Sequence, residues 1–205
     1  ANICSQKNIQ LIHISTDFVF DGLKNSPYTE IDIPNPINYY GLTKLKGEKK
    51  IMRYNLNKSI IIRTSWLYSD SNNNFVSKIL DKINHYRNIN IIGNEIGSPT
   101  NANDLAEVLL SIIPKLGNKK TEIFHFSNLG SCSRYNLSIE INKIVKGESY
   151  IITEDILQSK IKRPKYSVLD SNKLITEFDV IVKDWKNSLL DHLTVRKNKL
   201  TTHEF

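Results

Sequence analysis

The sequence predicts an α/β fold in which strands and helices alternate around a parallel sheet. Two observations support this prediction. Short apolar runs at residues 8–15 and 59–64 have the length and composition of strands that are buried on both faces. Each run is followed, after a loop, by a segment of more than ten residues with helical spacing, which is long enough to connect two parallel strands.

The remaining elements continue this alternation. Strands are predicted at residues 8–15, 59–64, 89–92, 122–126 and 150–152. Helices are predicted at residues 38–54, 74–86, 103–113, 134–145, 171–178 and 183–193. Asn38 is the predicted N-cap of the first of these helices, and Asn101 or Asn103 that of the third. Residues 1–7 resemble the last turns of a helix whose start is missing.

Composition and charge exclude several classes of protein. The chain is 40% hydrophobic and 24% charged, which is ordinary for a globular domain. No apolar run approaches the roughly 20 residues of a membrane span, so we expect a cytoplasmic protein with no membrane partner. The net charge is +7, but the lysines are spread along the chain, which argues against a nucleic-acid partner. Cys4 and Cys132 stand far apart without metal-ligand spacing, so no metal site is predicted.

The strongest chemical pattern is a tyrosine and a lysine four residues apart, Tyr40 and Lys44, near the start of a helix. This spacing places both side chains on one helix face, although such pairs also arise by chance. Thr16 lies at the carboxyl end of the first strand, where open parallel sheets bind their ligands. The Lys44 charge and the helix N-terminus would stabilise a Tyr40 phenolate. The three residues together predict a hydride-transfer site that polarises a carbonyl and protonates the alkoxide.

Longer stretches carry a resemblance to a known family. They are HISTDFVFDG at residues 13–22, NPINYYGLTKLKGE at 35–48, RTSWLY at 63–68, GSCS at 130–133 and RPKYSVLD at 163–170. In this order they resemble the dTDP-4-dehydrorhamnose reductases, which are extended short-chain dehydrogenase/reductases. The resemblance covers nearly the whole chain, from about residue 9 to residue 193. Phe18 is a departure, because the family usually has tyrosine there.

The resemblance implies a role for each matching residue. Tyr40 is the implied proton donor, Lys44 holds the nicotinamide ribose and tunes Tyr40, and Thr16 adjusts the acidity of the pair. The residues implied to bind cofactor are Tyr40, Lys44 and Thr64, and those implied to bind substrate are Thr16, Asp17, Trp66 and Arg163. Two structural alternatives stay open: Trp66 as a core or loop-anchoring aromatic, and Arg163 as an exposed arginine that binds nothing.

The resemblance also implies a division of the chain. Residues 1–66 and 101–127 would form the remaining part of a Rossmann-like, doubly wound parallel sheet. Residues 67–100 and 128–195 would form a small α/β substrate-binding domain, and 196–205 a flexible tail. No Gly-rich turn of the GxxGxxG kind is present among the eight glycines. We therefore expect a C-terminal portion of a longer reductase, with an exposed strand edge at residues 11–14, poor NAD(P)H binding and poor folding when it is alone.

The expected reaction is the reduction of dTDP-4-dehydro-6-deoxy-L-mannose to dTDP-L-rhamnose, for cell-surface polysaccharide. The hydride would come from NADPH or NADH, and the sequence does not distinguish them. It shows no carboxylate cluster for Mg²⁺, and the family allows a homodimer. Two alternatives stay open: a reductase of another 4-keto sugar nucleotide, and a non-catalytic regulatory subunit of methionine adenosyltransferase, which shares much of the same pattern.

Overall fold

A computed structural model describes residues 1–57, 59–117, 120–154 and 162–201. The helices are α1 (Asn2–Lys7), α2 (Tyr39–Tyr54), α3 (Phe75–His85), α4 (Ala102–Ile112), α5 (Arg134–Ile144), α6 (Asn172–Phe178) and α7 (Trp185–Thr201). The strands are β1 (Ile12–Thr16), β2 (Ile60–Thr64), β3 (Leu67–Tyr68), β4 (Asn88–Ile92), β5 (Ile96–Gly97), β6 (Thr100–Asn101), β7 (Glu122–His125), β8 (Cys132–Ser133) and β9 (Tyr150–Glu154).

The largest sheet has three strands in the order β1-β2-β7, and all of them are parallel. Thr16 at the end of β1 lies opposite Thr64 at the end of β2. The carboxyl ends of the strands therefore meet at one edge of the sheet, which is where open α/β sheets bind ligands. In the described part of the chain, β1 is an outer strand of this sheet.

Helices cover both faces of the sheet. One face presents Ile60, Ile62 and Phe124 to α4 and α6, and these residues are buried together in one apolar cluster. The other face carries α2, whose Glu48 contacts Ser15 and Arg63 on the strands. The predicted fold class, a partial Rossmann-like doubly wound parallel sheet with a small α/β part, is confirmed.

A second apolar cluster forms around α3, α5, α7 and β4. Its largest buried members are Tyr68, Ile79, Ile89, Ile141, Trp185 and Leu189. Strand β4 pairs with β9 in parallel, β3 pairs with β6 in parallel, and β5 pairs with β8 in the antiparallel direction. The sequence predicts β4 and β9, but it misses the two pairs of two-residue strands, β3 with β6 and β5 with β8, because they are too short to show a period.

Each predicted strand and helix is present, and the differences lie at their ends. The first strand was predicted from residue 8, but Asn8 adopts a left-handed conformation (φ 51°) that ends α1, and β1 begins only at Ile12. The tail predicted for residues 196–205 is helical as far as Thr201, and residues 202–205 lie outside the described part. Helix α7 contains no glycine or proline that would stop it, and the flexibility of residues 196–205 stays a prediction.

No helix in the described ranges is both long and apolar enough to cross a bilayer.

Candidate active site

Thr16 ends β1 and starts the turn that follows it. Its side chain is buried, and its hydroxyl donates a hydrogen bond to Asp17 Oδ1 at 2.9 Å while accepting one from the Phe18 amide at 3.2 Å. The hydroxyl therefore caps the short 3-10 turn Asp17–Val19. Because a hydroxyl has a single proton, Thr16 must rotate away from Asp17 before it can donate to a substrate oxygen.

Helix α2 begins beside this turn. Asn38 is its N-cap, as predicted, and its Oδ1 accepts a hydrogen bond from the Gly41 amide at 2.8 Å. A Cβ atom on Gly41 would lie 2.0 Å from the carbonyl oxygen of Phe18. Only glycine lets the helix approach the turn this closely, so Gly41 sets the distance between α2 and the end of β1.

Tyr40 and Lys44 contact the chain on either side of Thr16. The Tyr40 ring packs edge-on against Phe18, two residues after Thr16, with ring centroids 5.9 Å apart. Lys44 Nζ donates a hydrogen bond to the carbonyl oxygen of Ile14, two residues before Thr16. Tyr40 is 54% exposed, and its hydroxyl makes no hydrogen bond to any described residue. It is therefore open to a ligand, whereas the Thr16 hydroxyl is engaged within the protein.

Asp17 is buried next to Thr16 and has an unusual acidity. Burial raises its pKa to about 6, and the hydroxyls of Ser167 and Thr16 together with the charge of Arg134 act in the opposite direction. Desolvation disfavours the charged carboxylate, so burial is the largest cause. Asp17 thus changes charge close to neutral pH at the carboxyl edge of the sheet.

Thr64 and Trp66 lie at the end of the neighbouring strand. The Thr64 hydroxyl is buried and has no hydrogen-bond partner in the described part of the chain. Trp66 has a positive φ of 45°, which is uncommon for a residue other than glycine. Its indole lies so close to Gly97 that a Cβ atom there would be 2.4 Å from Cε2, and the Arg134 guanidinium lies 3.6 Å from the ring centroid. The indole is half-buried and anchored on these two sides.

Two arginines share one carboxylate close to Trp66. Arg134 Nε lies 3.7 Å from Glu95 Oε2, and Arg163 NH1 lies 3.6 Å from Glu95 Oε1. Arg163, which was predicted to bind substrate, therefore faces an acidic side chain, and its own side chain is 43% exposed. Arg134 was not singled out from the sequence, because nothing local distinguishes it from other basic residues at the start of a helix.

A closed polar network lies under α2 and was also missed. Arg63 donates to Glu48 through Nε at 2.9 Å and through NH2 at 2.7 Å, and the Ser15 hydroxyl donates to the same carboxylate at 2.5 Å. Arg63 also lies 3.4 Å from His125 Nε2. Burial, aided by the Arg63 charge, lowers the pKa of His125 to about 3. The sequence signal for this network is the arginine near the end of the apolar run IIIRT, because a charge in a buried strand needs a buried partner.

The described part of the chain contains no group of three or more His, Cys, Asp or Glu side chains that would hold a metal ion.

The combination of a parallel sheet, a strand-end threonine and a tyrosine and lysine one helical turn apart is that of a short-chain dehydrogenase/reductase. Comparison with known proteins defines the family more closely. The family described as "RmlD substrate binding domain" matches residues 1–197. The chain therefore belongs to the family of the dTDP-4-dehydrorhamnose reductases.

Individual relatives agree with this assignment. The chain is 36% identical over 191 residues to the spore coat polysaccharide biosynthesis protein SpsK of Bacillus subtilis, covering 92% of this chain and 65% of the relative. It is 33% identical over 200 residues to a dTDP-4-dehydrorhamnose reductase of Aggregatibacter actinomycetemcomitans, covering 92% and 68%. The chain thus spans about two thirds of the length of these relatives.

A solved structure shows the same fold. The dTDP-4-dehydrorhamnose reductase of Bacillus anthracis in complex with NADP superimposes with a TM-score of 0.88 at 30% identity, covering 93% of this chain and 67% of that one.

Proposed function

We propose that this protein reduces the C4 carbonyl of dTDP-4-dehydro-6-deoxy-L-mannose to give dTDP-L-rhamnose. The observation that carries the proposal is the pairing of an unengaged Tyr40 hydroxyl with Lys44 around the strand end that bears Thr16. Relatives named dTDP-4-dehydrorhamnose reductase support the choice of substrate. The place in rhamnose and polysaccharide synthesis is part of the same proposal.

The residues present fit the nicotinamide and ribose of a dinucleotide. The Thr64 hydroxyl is an orphaned buried group at the end of β2, and Lys44 lies at the outer edge of β1. We assign Tyr40, Lys44 and Thr64 to the cofactor on this basis. When bound, NADPH or NADH supplies the hydride that reduces the carbonyl carbon.

Tyr40 supplies the proton in this mechanism. Its side chain is 54% exposed, so its hydroxyl can reach a substrate and donate to the carbonyl oxygen as charge develops there. Lys44 shares its helix face and favours the phenolate that remains. Thr16 holds the substrate oxygen once its hydroxyl turns from Asp17.

Asp17, Trp66 and Arg163 complete the proposed substrate site. Asp17 is the buried acid at the strand end, Trp66 is a rigid apolar wall and Arg163 is a half-exposed cation beside Glu95. Together they offer a carboxylate, an indole and a guanidinium to a sugar nucleotide.

The test is a reductase assay with the complete product of the gene. A panel of 4-keto sugar nucleotides is offered with NADPH and, separately, with NADH. We expect oxidation of the reduced cofactor, fastest with dTDP-4-dehydro-6-deoxy-L-mannose. If the reaction is faster with another sugar nucleotide of the panel, that sugar nucleotide is the substrate and the proposed one is wrong. No oxidation with any member would overturn it.

A further inference from the structure

Gly97 lies against the indole of Trp66, and the space between them holds no further side-chain atom. A Cβ atom on Gly97 would be 2.4 Å from Trp66 Cε2, 2.6 Å from Nε1 and 2.8 Å from Cζ2. Ordinary contacts between carbon atoms are about 3.5–4.0 Å long, so a methyl group at residue 97 would force the indole or strand β5 to move by about 1 Å or more.

Strand β5 is held on both sides. Gly97 lies opposite Cys132 of β8 on one side. On the other side, the Ile96 amide donates to the Lys165 carbonyl oxygen at 2.7 Å, and the Ser167 amide donates to the Ile96 carbonyl oxygen at 2.8 Å. Displacing β5 would therefore strain backbone hydrogen bonds to two neighbouring segments.

The segment that carries Trp66 is tied to the segment that follows Gly97. The Ser65 hydroxyl donates to the Ser98 carbonyl oxygen at 2.7 Å. The Thr100 amide donates to the Trp66 carbonyl oxygen at 3.3 Å. Trp66 itself has a φ of 45°, which a residue other than glycine keeps only where its surroundings hold it. The two backbone segments are therefore fixed relative to each other, and a methyl group at residue 97 would displace the indole.

The place of the indole connects this contact to the candidate active site. Trp66 lies two residues after Thr64, the last residue of β2, and the Arg134 guanidinium carbon lies 3.6 Å from its ring centroid. The charge of Arg134 acts in turn on the buried Asp17, which follows Thr16 at the end of β1. The indole therefore lies near the carboxyl edge of the sheet, where its position decides how much room a ligand has.

We infer that Gly97 is a positioning residue of the substrate site, which admits the Trp66 indole against β5 and thereby sets the space left for the sugar nucleotide. Gly97 is buried and acts through the indole, not by contact with the substrate. A side chain at this position would push the indole into the space of the ligand. The assignment of Trp66 to the substrate rests on the proposed function, whereas the close contact between Gly97 and the indole does not.

The first experiment compares the steady-state kinetics of the complete gene product and its Gly97→Ala variant. We expect the KM for the 4-keto sugar nucleotide to rise by about tenfold or more, because a displacement of about 1 Å in a substrate-positioning group has a large effect. The kcat should change by about twofold or less, because the indole takes part in neither proton nor hydride transfer. Gly93→Ala is the matched control: its Cβ atom would meet the Thr153 methyl group at 3.3 Å, a side-chain end that can give way, so KM and kcat should stay unchanged.

A second pair of variants shows whether the indole is the group that Gly97 accommodates. Trp66→Leu removes all three contacting indole atoms, so adding Gly97→Ala to it should change the KM by about twofold or less. If the glycine served only the backbone of β5, the two effects would multiply. The pair also decides the question where Gly97→Ala alone fails to fold, because the double variant should then fold as Trp66→Leu does.

Three results would overturn the inference: an unchanged KM in Gly97→Ala, a double variant whose KM rises by the product of the two single effects, or a double variant that fails to fold while Trp66→Leu folds. Failure of the proposed function is distinguishable from these, because the same variants are compared for binding of dTDP-L-rhamnose by isothermal titration calorimetry. Binding that weakens in Gly97→Ala but not in Gly93→Ala, without turnover of any 4-keto sugar nucleotide, would reject the reaction and keep the role of Gly97.

Discussion

Two arginines of the molecule, Arg63 and Arg134, have different surroundings. Arg63 is 2% exposed and makes two hydrogen bonds to Glu48, which also accepts from Ser15. The Arg134 guanidinium carbon lies 3.6 Å from the Trp66 ring centroid and 4.5 Å from that of Phe75, and the side chain makes no hydrogen bond in the part of the chain that the structure describes. The Arg63 side chain is 2% exposed and the Arg134 side chain is 18% exposed, so Arg63 depends more strongly on the protein for its hydrogen bonds.

Arg63 therefore has a structural role that the surroundings of Arg134 do not indicate. The Arg63 network joins α2 to β1 and β2, and so fixes the helix that carries Tyr40 and Lys44. Arg134 lies beside Trp66, which follows β2, and its side chain is 18% exposed. A buried charge whose hydrogen bonds are all made within the fold indicates a structural role.

The largest effect on stability is expected where the closed network is broken. Arg63→Met leaves the buried Glu48 carboxylate unpaired and should lower the free energy of unfolding by about 3–5 kcal/mol. The double change Glu48→Leu with Arg63→Met should recover much of this loss, because it removes both charges. Urea denaturation measures both. If Arg63→Met lowered the free energy of unfolding by less than about 1 kcal/mol, the ion pair between Arg63 and Glu48 would not be a buried pair that the fold depends on.

The next largest effect is the pH dependence of stability that comes from the buried Asp17. The pKa of Asp17 is raised from 3.8 to about 6, so its contribution to stability is fully present below about pH 3.8 and is lost as the pH rises through 6. At 1.36 kcal/mol per unit, this is about 3 kcal/mol. The unfolding free energy of the unchanged protein, relative to Asp17→Asn, should fall by this amount between pH 3.5 and 7. His125 titrates in the opposite sense but is common to both proteins. A pH-independent difference would contradict the raised pKa.

A third prediction tests how α2 is held against the turn after β1. Gly41→Ala places a methyl group against the Phe18 carbonyl and should cost about 1–3 kcal/mol, because backbone must move. Gly47→Ala on the same helix is the matched control: its nearest atom is His13 Nε2 at 3.8 Å, so it should stabilise the protein by about 0.5–1 kcal/mol. Equal thermal unfolding of the two variants would refute the close approach.

The smallest effect on stability is expected at Arg134. Its side chain has no hydrogen bond to lose within the described residues, and its removal relieves a desolvated charge while forfeiting two ring contacts. Arg134→Met should therefore change the free energy of unfolding by about 1 kcal/mol or less. Chemical denaturation alongside Arg63→Met gives the direct comparison. If Arg134→Met lowered the free energy of unfolding as much as Arg63→Met, Arg134 would have the same structural role as Arg63.

Some of this arrangement is visible in the sequence and some is not. Local spacing is enough to predict α2, its Asn38 cap and the shared face of Tyr40 and Lys44, because these depend on residues a few positions apart. The engagement of Thr16 with Asp17 is also local but depends on a rotamer that no spacing predicts. The division of the chain into two domains, and the roles of the site residues, stay predictions.

The missed features depend on contacts between distant segments. Arg63 meets Glu48 only when α2 lies on the sheet, and Arg134 meets Trp66 only when the start of α5 reaches the end of β2. The role of Gly41 depends on its distance from the Phe18 carbonyl oxygen, and a pattern of side chains in the sequence does not predict that distance. Tertiary packing, rather than propensity, decides all three.

The central claim is that Tyr40 is the proton donor of a carbonyl reductase, and the adjacent tyrosine provides the most direct test. Tyr39 is 79% exposed at the same helix start, so Tyr39→Phe removes an equivalent hydroxyl without touching the site. In the complete gene product, Tyr40→Phe should lower kcat by about 100-fold or more, with dTDP binding retained. Tyr39→Phe should leave kcat unchanged. Equal turnover in the two variants would contradict the account.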